Sequence, residues 1–254
     1  MGAPVPAPCP CAARVGEVAP AADTCAVIVA GGSGERFGDP RGKQFVDLCG
    51  LPLMGWSVMA FDRAASVARI VVVCAPDRAE QVEKDVLARL SLETPVVLAP
   101  SGATRQDSVR SGLEAVPRDL ALVAVHDAAR PLVEVEQIEA ACEAVRADEA
   151  LAGAILATRS VDTLKLVEGT TIVATPDRSF YWAAQTPQVF RRRVLLAAHK
   201  AAAHEGYQGT DDASLVERTG GRVRVVESTR DNIKITLPED LALAEATLAR
   251  RLLA

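Results

Sequence analysis

The chain contains no apolar run close to the roughly 18 residues that a membrane-spanning helix requires, so no helical span is expected. It also lacks net positive charge. The formal balance is −5, which argues against a general nucleic-acid binder. Any cations that bind phosphate must therefore be concentrated locally. The six cysteines (Cys9, Cys11, Cys25, Cys49, Cys74 and Cys142) show no zinc-ligand spacing with a second pair or with histidines. Cys9-Pro-Cys11 reads as incidental, and scattered unpaired thiols fit a reducing cytosol. The start has no basic segment followed by an apolar core, so a signal peptide is not expected. Residues 1–23, rich in Ala and Pro, read as a disordered extension or an over-called start. No internal repeat is visible. What is present is an ordinary globular balance: 254 residues, 49% hydrophobic and 24% charged, with ample length for a large core.

The most informative stretch is Cys25-Ala-Val-Ile-Val-Ala-Gly-Gly-Ser-Gly-Glu-Arg-Phe-Gly38, followed by Lys43. An apolar run without alternation reads as a strand buried on both faces. Gly31, Gly32 and Gly34 then allow a tight turn that brings backbone N–H groups against a ligand. Arg36 and Lys43 add positive charge, a combination that suits a polyphosphate; an ordinary strand-to-helix turn with surface cations is the plainer alternative. A P-loop would need Gly at 37 and Ser or Thr at 44, where the chain has Phe37 and Gln44. A dinucleotide fingerprint from Gly32 and Gly34 would place its third glycine on Phe37. Both patterns fail, which leaves a nucleotide-handling enzyme outside the kinase and dehydrogenase groups.

Strands are expected at 25–30, 69–75, 95–99, 121–126 and 152–157, and helices at 53–64, 77–90, 105–116 and 134–148. Asp77 and Glu80 supply a capping-box-like start to the second helix. Alternating β and α segments with apolar strands imply an α/β fold, a mostly parallel sheet with helices on both faces. Ligands of such sheets sit at the carboxyl ends of strands. The pattern breaks at about 159–180, where two β-prone runs around Gly169 read as a hairpin arm. Too small to be a domain, it is expected to pack on another subunit. Beyond it are helices at 191–204 and from Asp211, strands at 222–228 and 232–236, and a final helix from Pro238. A single domain over 24–254 is expected.

Several residues then stand at strand ends. Asp127 and Arg130 lie in a turn closed by Pro131; Asp suits a hydroxyl or a metal, Arg a phosphate, and a mutual ion pair is the alternative. His126 reads as packed rather than as a base. In Ser101–Ser108, amides and Ser108 could read a base or ribose, or Thr104 and Asp107 could simply cap the helix. Lys234 sits within the 232–236 strand, and a mid-strand Lys is often just solvent-facing. Arg178 and Thr186-Pro187 cannot be placed by spacing. Gly209-Thr-Asp-Asp212 looks first like a helix N-cap, and Arg191-Arg-Arg193 like a solvated helix start.

Together these segments resemble the 2-C-methyl-D-erythritol 4-phosphate cytidylyltransferases of the non-mevalonate isoprenoid pathway. The matching pieces are Ala30–Arg36 with Lys43-Gln44, Arg105–Ser108, Val125–Pro131, Val161–Lys165, Gln185–Gln188, Thr210–Ser214 and Asn232–Thr236, in the family's order over roughly 25–250. The resemblance implies a Rossmann-like sheet of the nucleotidyltransferase type A kind. It implies transfer of CMP from CTP to the sugar-alcohol phosphate with release of pyrophosphate, aided by a divalent metal, usually Mg²⁺, held mainly by phosphates. Arg36 and Lys43 would stabilise charge on the triphosphate, and Arg178 and Lys234 would hold the incoming phosphate. Ala30, Gly31, Gly32, Ser33, Gly34, Gly102, Ser108 and Asp127 would hold CTP. Asp127, Arg130, Thr163, Thr186 and Thr210 would contact the sugar phosphate or ribose. Homodimers whose hairpin arms reach the neighbouring site are implied, with Thr163 and Arg178 serving across the interface. Ala103 departs from the acidic residue relatives often carry near the base. Two other readings stay open: a ribitol-5-phosphate cytidylyltransferase, against which Asp162-Thr-Leu-Lys165 and Ala129 speak, and an inactive nucleotide-binding regulator.

Overall fold

The computed structural model describes residues 22–32, 34, 37–39 and 41–252. The expected extension over 1–23 thus falls outside the described residues except at its end, where the Asp23 carbonyl accepts from the amides of Ala121 and Leu122. The chain begins with β1 (Thr24–Val29), a small hairpin of β2 (Asp47–Leu48) and β3 (Leu51–Pro52), and α1 (Leu53–Asp62). Next come β4 (Val67–Cys74), α2 (Ala79–Gln81), β5 (Val96–Pro100), α3 (Arg105–Glu114), β6 (Leu122–Asp127), α4 (Val135–Arg146) and β7 (Gly153–Arg159). The last elements are β8 (Leu166–Glu168), β9 (Thr171–Ala174), β10 (Trp182–Arg191), α5 (Arg192–Glu205), α6 (Asp212–Arg218), β11 (Val223–Glu227) and α7 (Glu239–Leu252).

Seven strands form one twisted sheet in the order β11-β7-β10-β6-β1-β4-β5. All neighbours are parallel except β10, which runs antiparallel between β6 and β7. Central β1 shows why its sequence lacks alternation. Ala26 and Ile28 pack on one face with Val58 and Phe61 of α1 and Ile138 of α4. Cys25 and Val27 pack on the other with Val109 and Leu113 of α3 and Leu195 of α5. A strand buried on both faces needs apolar residues at every position. A third cluster, with Leu53, Leu132, Ile235 and Leu248, fastens α7 and the segment before it to the rim of the sheet. Among the described residues no helix is long and apolar enough to cross a membrane.

Several expectations need correction. The helix expected at 77–90 is irregular, passing through 3₁₀, α and π turns between Pro76 and Arg89, with no side-chain cap from Asp77. Segment 232–236 forms no strand; it runs along the rim, where the Ile235 amide donates to the Ala129 carbonyl. Strand β10 was not expected, because Pro187 and two glutamines interrupt its apolar pattern. The sheet tolerates Pro187 through a register shift between Ala184 and Gln188, where the Thr186–Pro187 peptide is cis. Arg191 is no solvated start either; its guanidinium donates to the carbonyls of Leu151 and Val145, 2.9 and 2.8 Å away.

The hairpin of β8 and β9 is exposed at every residue. Its surroundings include Leu166, Ile172 and Phe180 at 60%, 58% and 82% exposure.

The helix that carries much of the site, α3, lies unusually close to the sheet. A Cβ on Gly112 would sit 2.6 Å from Val27 and 2.8 Å from Val73 side-chain carbons. Gly112→Ala should push α3 outward and lower stability by about 1–3 kcal/mol, the usual cost of overpacking. A melting temperature unchanged from the parent would refute this packing constraint.

Candidate active site

The carboxyl ends of β1, β5 and β6 open into a cleft of about 700 Å³. Each wall follows from local structure. After β1, the Ala30 amide donates to the Val73 carbonyl at 2.7 Å and is committed to the sheet, while Ala30 itself borders the cleft. Gly31, Gly32 and Gly34 then line the cleft. Gly31 is needed for close approach: a Cβ there would lie 2.2 Å from the Cβ of Ser101 in the facing loop. Lys43 also lines the cleft, and its Nζ donates to the Ile235 carbonyl at 2.9 Å. Ser33 and Arg36 lie outside the described residues.

The facing loop is self-bracing. Thr104 caps α3 by accepting from the Asp107 amide. The Ser108 hydroxyl donates to the Thr104 carbonyl at 2.9 Å and accepts from the Gly102 amide at 3.1 Å. Ser108 and that amide are thus committed to loop shape, while Gly102, Ala103 and Ser108 all border the cleft.

At the end of β6 stands Asp127, only 8% exposed. Arg105 Nε lies 3.0 Å from one of its carboxylate oxygens and Lys234 Nζ 2.7 Å from the other. Burial pushes its carboxyl up, but the two cations outweigh burial and hold it below the ordinary carboxylate range. The Asp127 amide donates to the Thr186 hydroxyl at 3.0 Å, which also sits 3.1 Å from His126 Nδ1. Thus β10, the unexpected strand, braces the site from beneath. His126 is wholly buried against Phe61, and its Nε2 is 3.1 Å from the Arg130 carbonyl. Burial pushes its pKa down to about 4, so it is a neutral packing residue, as its sequence context implied.

Lys43, Asp127 and Lys234 therefore share one cleft with the glycine loop. Arg130 and Thr186 lie behind it. Arg130 donates to the Asn232 carbonyl at 2.7 Å, and Asn232 donates in turn to Gln185 and to the Thr186 carbonyl. Thr163 and Arg178 are exposed on the arm, where Arg178 donates to the Val161 carbonyl. Thr210 is exposed just ahead of α6. The structure adds Arg105, which borders the cleft and stands out in the sequence only as part of the Arg105–Ser108 segment. Its partner Asp212 looked like one more capping residue, and no spacing signal separates it from Asp211, which does the capping.

Among the described residues lining the cleft, Asp127 is the one carboxylate. Among the described residues no three His, Cys, Asp or Glu side chains gather as a metal cage. Both oxygens of Asp127 face cations, so the lining offers a divalent ion at most one freed carboxylate oxygen, and such an ion would take most of its ligands from phosphate and water.

A doubly covered, mostly parallel sheet with a glycine loop and converging cations at its carboxyl edge defines an α/β nucleotide-handling enzyme. The family model for IspD, 2-C-methyl-D-erythritol 4-phosphate cytidylyltransferase, matches residues 24–250. The protein of that description from Caldanaerobacter subterraneus subsp. tengcongensis is 40% identical, with 89% of this chain and 98% of the relative covered. The one from Prochlorococcus marinus is 44% identical, covering 89% and 98%. The crystal structure of 4-diphosphocytidyl-2C-methyl-D-erythritol synthase from Anaerococcus prevotii superposes with a TM-score of 0.79 at 28% identity, covering 89% and 96%. The chain belongs to the 2-C-methyl-D-erythritol 4-phosphate cytidylyltransferase family. It is a cytidylyltransferase of the non-mevalonate isoprenoid pathway.

The burial of His126 has a consequence for acid stability. The unfolded histidine takes up a proton as pH falls below about 6.5, whereas the folded one does so only near 4. The His126 contribution to stability should therefore fall as pH drops through this window, by on the order of 3 kcal/mol, and level off below it, where Asp127 and Asp212 take over the loss. Replacing the group (His126→Gln) should flatten that slope in denaturant titrations at pH 7, 5.5 and 4. An identical slope in the variant would contradict a neutral buried imidazole.

Proposed function

We propose that this cleft carries out the family's reaction, CMP transfer from CTP to 2-C-methyl-D-erythritol 4-phosphate, by holding two anions together with fixed positive charge. A phosphate oxygen of the alcohol phosphate attacks the α-phosphorus in line. The new P–O bond forms as the bond to the β-phosphate breaks, and pyrophosphate leaves. The products are 4-diphosphocytidyl-2-C-methyl-D-erythritol and pyrophosphate. The nucleophile is already an anion, so no general base is required. The barrier lies in bringing like charges together and in the charge of the transition state.

The observation that carries this reading is the meeting of Lys43, Lys234 and Asp127 around one cleft with the glycine loop. In it, Lys43 and Arg36 neutralise the triphosphate, and Ala30–Gly34 with the 102–108 loop seat the nucleotide. Lys234 and Arg178 hold the incoming phosphate. Asp127 meets ribose or alcohol hydroxyls, and Arg130, Thr186 and Thr210 shape that end. Asp127 would also hold a divalent ion such as Mg²⁺, which when bound draws charge from phosphate oxygens as a Lewis acid. The arm over about 159–180 carries Thr163 and Arg178 to the site of a second copy in a homodimer. Its exposed Leu166, Ile172 and Phe180 support that role, since isolated hairpins are marginal in water. The described cysteines are unpaired thiols, which fits a cytoplasmic enzyme.

Pyrophosphate release should be measured with CTP and either 2-C-methyl-D-erythritol 4-phosphate or ribitol 5-phosphate. Faster turnover of the ribitol ester would overturn the substrate; CTP binding by calorimetry without any turnover would point to a regulator. Lys43→Ala should lower kcat by about 10²–10³, the usual cost of one well-placed charged donor, with the fold intact. An unchanged rate would remove Lys43 from the site. Deleting 160–177 should reduce activity and shift the sedimentation mass from dimer to monomer. A fully active monomer would refute the arm's role.

A further inference from the structure

Behind the cleft, a chain of charges runs into the interior. Lys234 reaches one oxygen of Asp127 and Arg105 Nε the other. Arg105 Nη1 continues to Asp212 Oδ2 at 2.8 Å, and Asp212 Oδ1 is 3.0 Å from His199 Nε2. Exposure falls steeply along it, from 42% for the Lys234 side chain to 1% for both Asp212 and His199. Asp212 is not needed to cap α6, because Asp211 accepts from the Ser214 amide and does so. The Asp212 carboxylate accepts from Arg105 and His199 instead, while its amide and that of Ala213 donate to Gln188 Oε1 at 3.1 Å. Gln106, beside Arg105, clamps the segment before α6 by donating to the Tyr207 carbonyl and accepting from the Gly209 amide. The first turn of α3 is thus locked to the start of α6 from both sides.

A buried ion pair of this kind adds little stability over apolar residues of the same volume, so its value lies in geometry. Arg offers a planar fork that satisfies two carboxylates at once, whereas Lys is a single mobile charge that can be shared. Without Arg105, any departure of Lys234 from Asp127 would leave a largely buried carboxylate unpaired, which opposes the departure.

We propose that Arg105 is a positioning residue for the transfer: a fork braced by Asp212 and His199 that keeps Asp127 aimed at the cleft while Lys234 turns to the incoming phosphate. This rests on the role given above to Lys234.

Arg105→Lys, Arg105→Gln and Asp212→Asn test it. With CTP and 2-C-methyl-D-erythritol 4-phosphate, Arg105→Lys should lose at least about tenfold in kcat/KM for the alcohol phosphate and fall close to Arg105→Gln, since an ammonium lacks the rigid fork whose separate nitrogens fix Asp127 and Asp212. Asp212→Asn should behave alike, and the Arg105 pair decides the matter if that variant does not fold. The loss in kcat/KM for the alcohol phosphate should exceed any loss of calorimetric CTP affinity by at least about threefold in every folded variant, a separation that general destabilisation would not produce. In a crystal structure of Arg105→Lys, Asp127 should turn away from its parental position. The proposal is overturned if Arg105→Lys matches the parent, if CTP affinity falls in parallel with kcat/KM, or if Asp127 is unmoved. A parent enzyme that does not turn over the alcohol phosphate would instead sink the functional reading, and the position of Asp127 still judges the fork.

Discussion

The interaction on which the rest depends is the pairing of one nearly buried carboxylate, Asp127, with Arg105 and Lys234. A site that must hold two phosphate-bearing anions needs positive charge that stays put when the cleft is empty. Bare cations crowded together would repel each other and spread into solvent. A carboxylate among them removes that repulsion and costs little in field, because both cations remain charged. Arg105 is held charged more firmly still: burial works against its charge, but Asp212 and Asp127 override burial and raise its pKa. The same two-sided pairing keeps Asp212 ionised although it is fully buried, through Arg105 first and His199 second. The cleft is thus an ordered lattice of permanent charges, within a chain whose formal net charge is −5.

The sheet explains why these charges meet. β1 and β6 are adjacent and parallel, so the glycine loop after one and Asp127 at the end of the other emerge at the same edge. Antiparallel β10 enters beside β6 and brings Thr186 under the Asp127 amide. The rim segment 232–236 then completes the ring, with Ile235 buried in the third core cluster and Lys234 turned to the cleft. Alternation along an extended segment divides these neighbours between core and site. Lys43 closes the circle from the other side by bonding to the Ile235 carbonyl, so the two lysines are tied to the same short piece of backbone.

Much of this was legible in the residues. Apolar runs without alternation identified the parallel strands β1, β4 and β6, and the breaks after them marked where ligands belong. The hairpin around Gly169 could be read because its β-prone runs are short and joined by a turn. What escaped did so for physical reasons. β10 carries Gln185, Thr186, Pro187 and Gln188, a stretch that no local propensity would make a central strand, yet each polar group there finds a partner in the assembled fold. Lys234 looked like a strand residue because Ile233 and Ile235 alternate with it, whereas that alternation serves a rim loop. Arg105 and Asp212 are 107 positions apart, and nothing in either neighbourhood announces the other. Helix capping gave Asp211 and Asp212 the same appearance, and only packing separates the cap from the buried anchor.

That His126 is no base follows from the same constraint. His126 is adjacent to Asp127, where an exposed imidazole would be placed for proton transfer at neutral pH. Burial against Phe61 instead keeps it neutral, with its nitrogens committed to Thr186 and the Arg130 carbonyl. A phosphate nucleophile has no proton that must be taken for attack, so a base would add nothing to the rate. A charged imidazole at that depth would also compete with Arg105 and Lys234 for Asp127 and disturb the pairing that keeps them in place. Turning His126 into core is therefore what allows the neighbouring carboxylate to organise the cations.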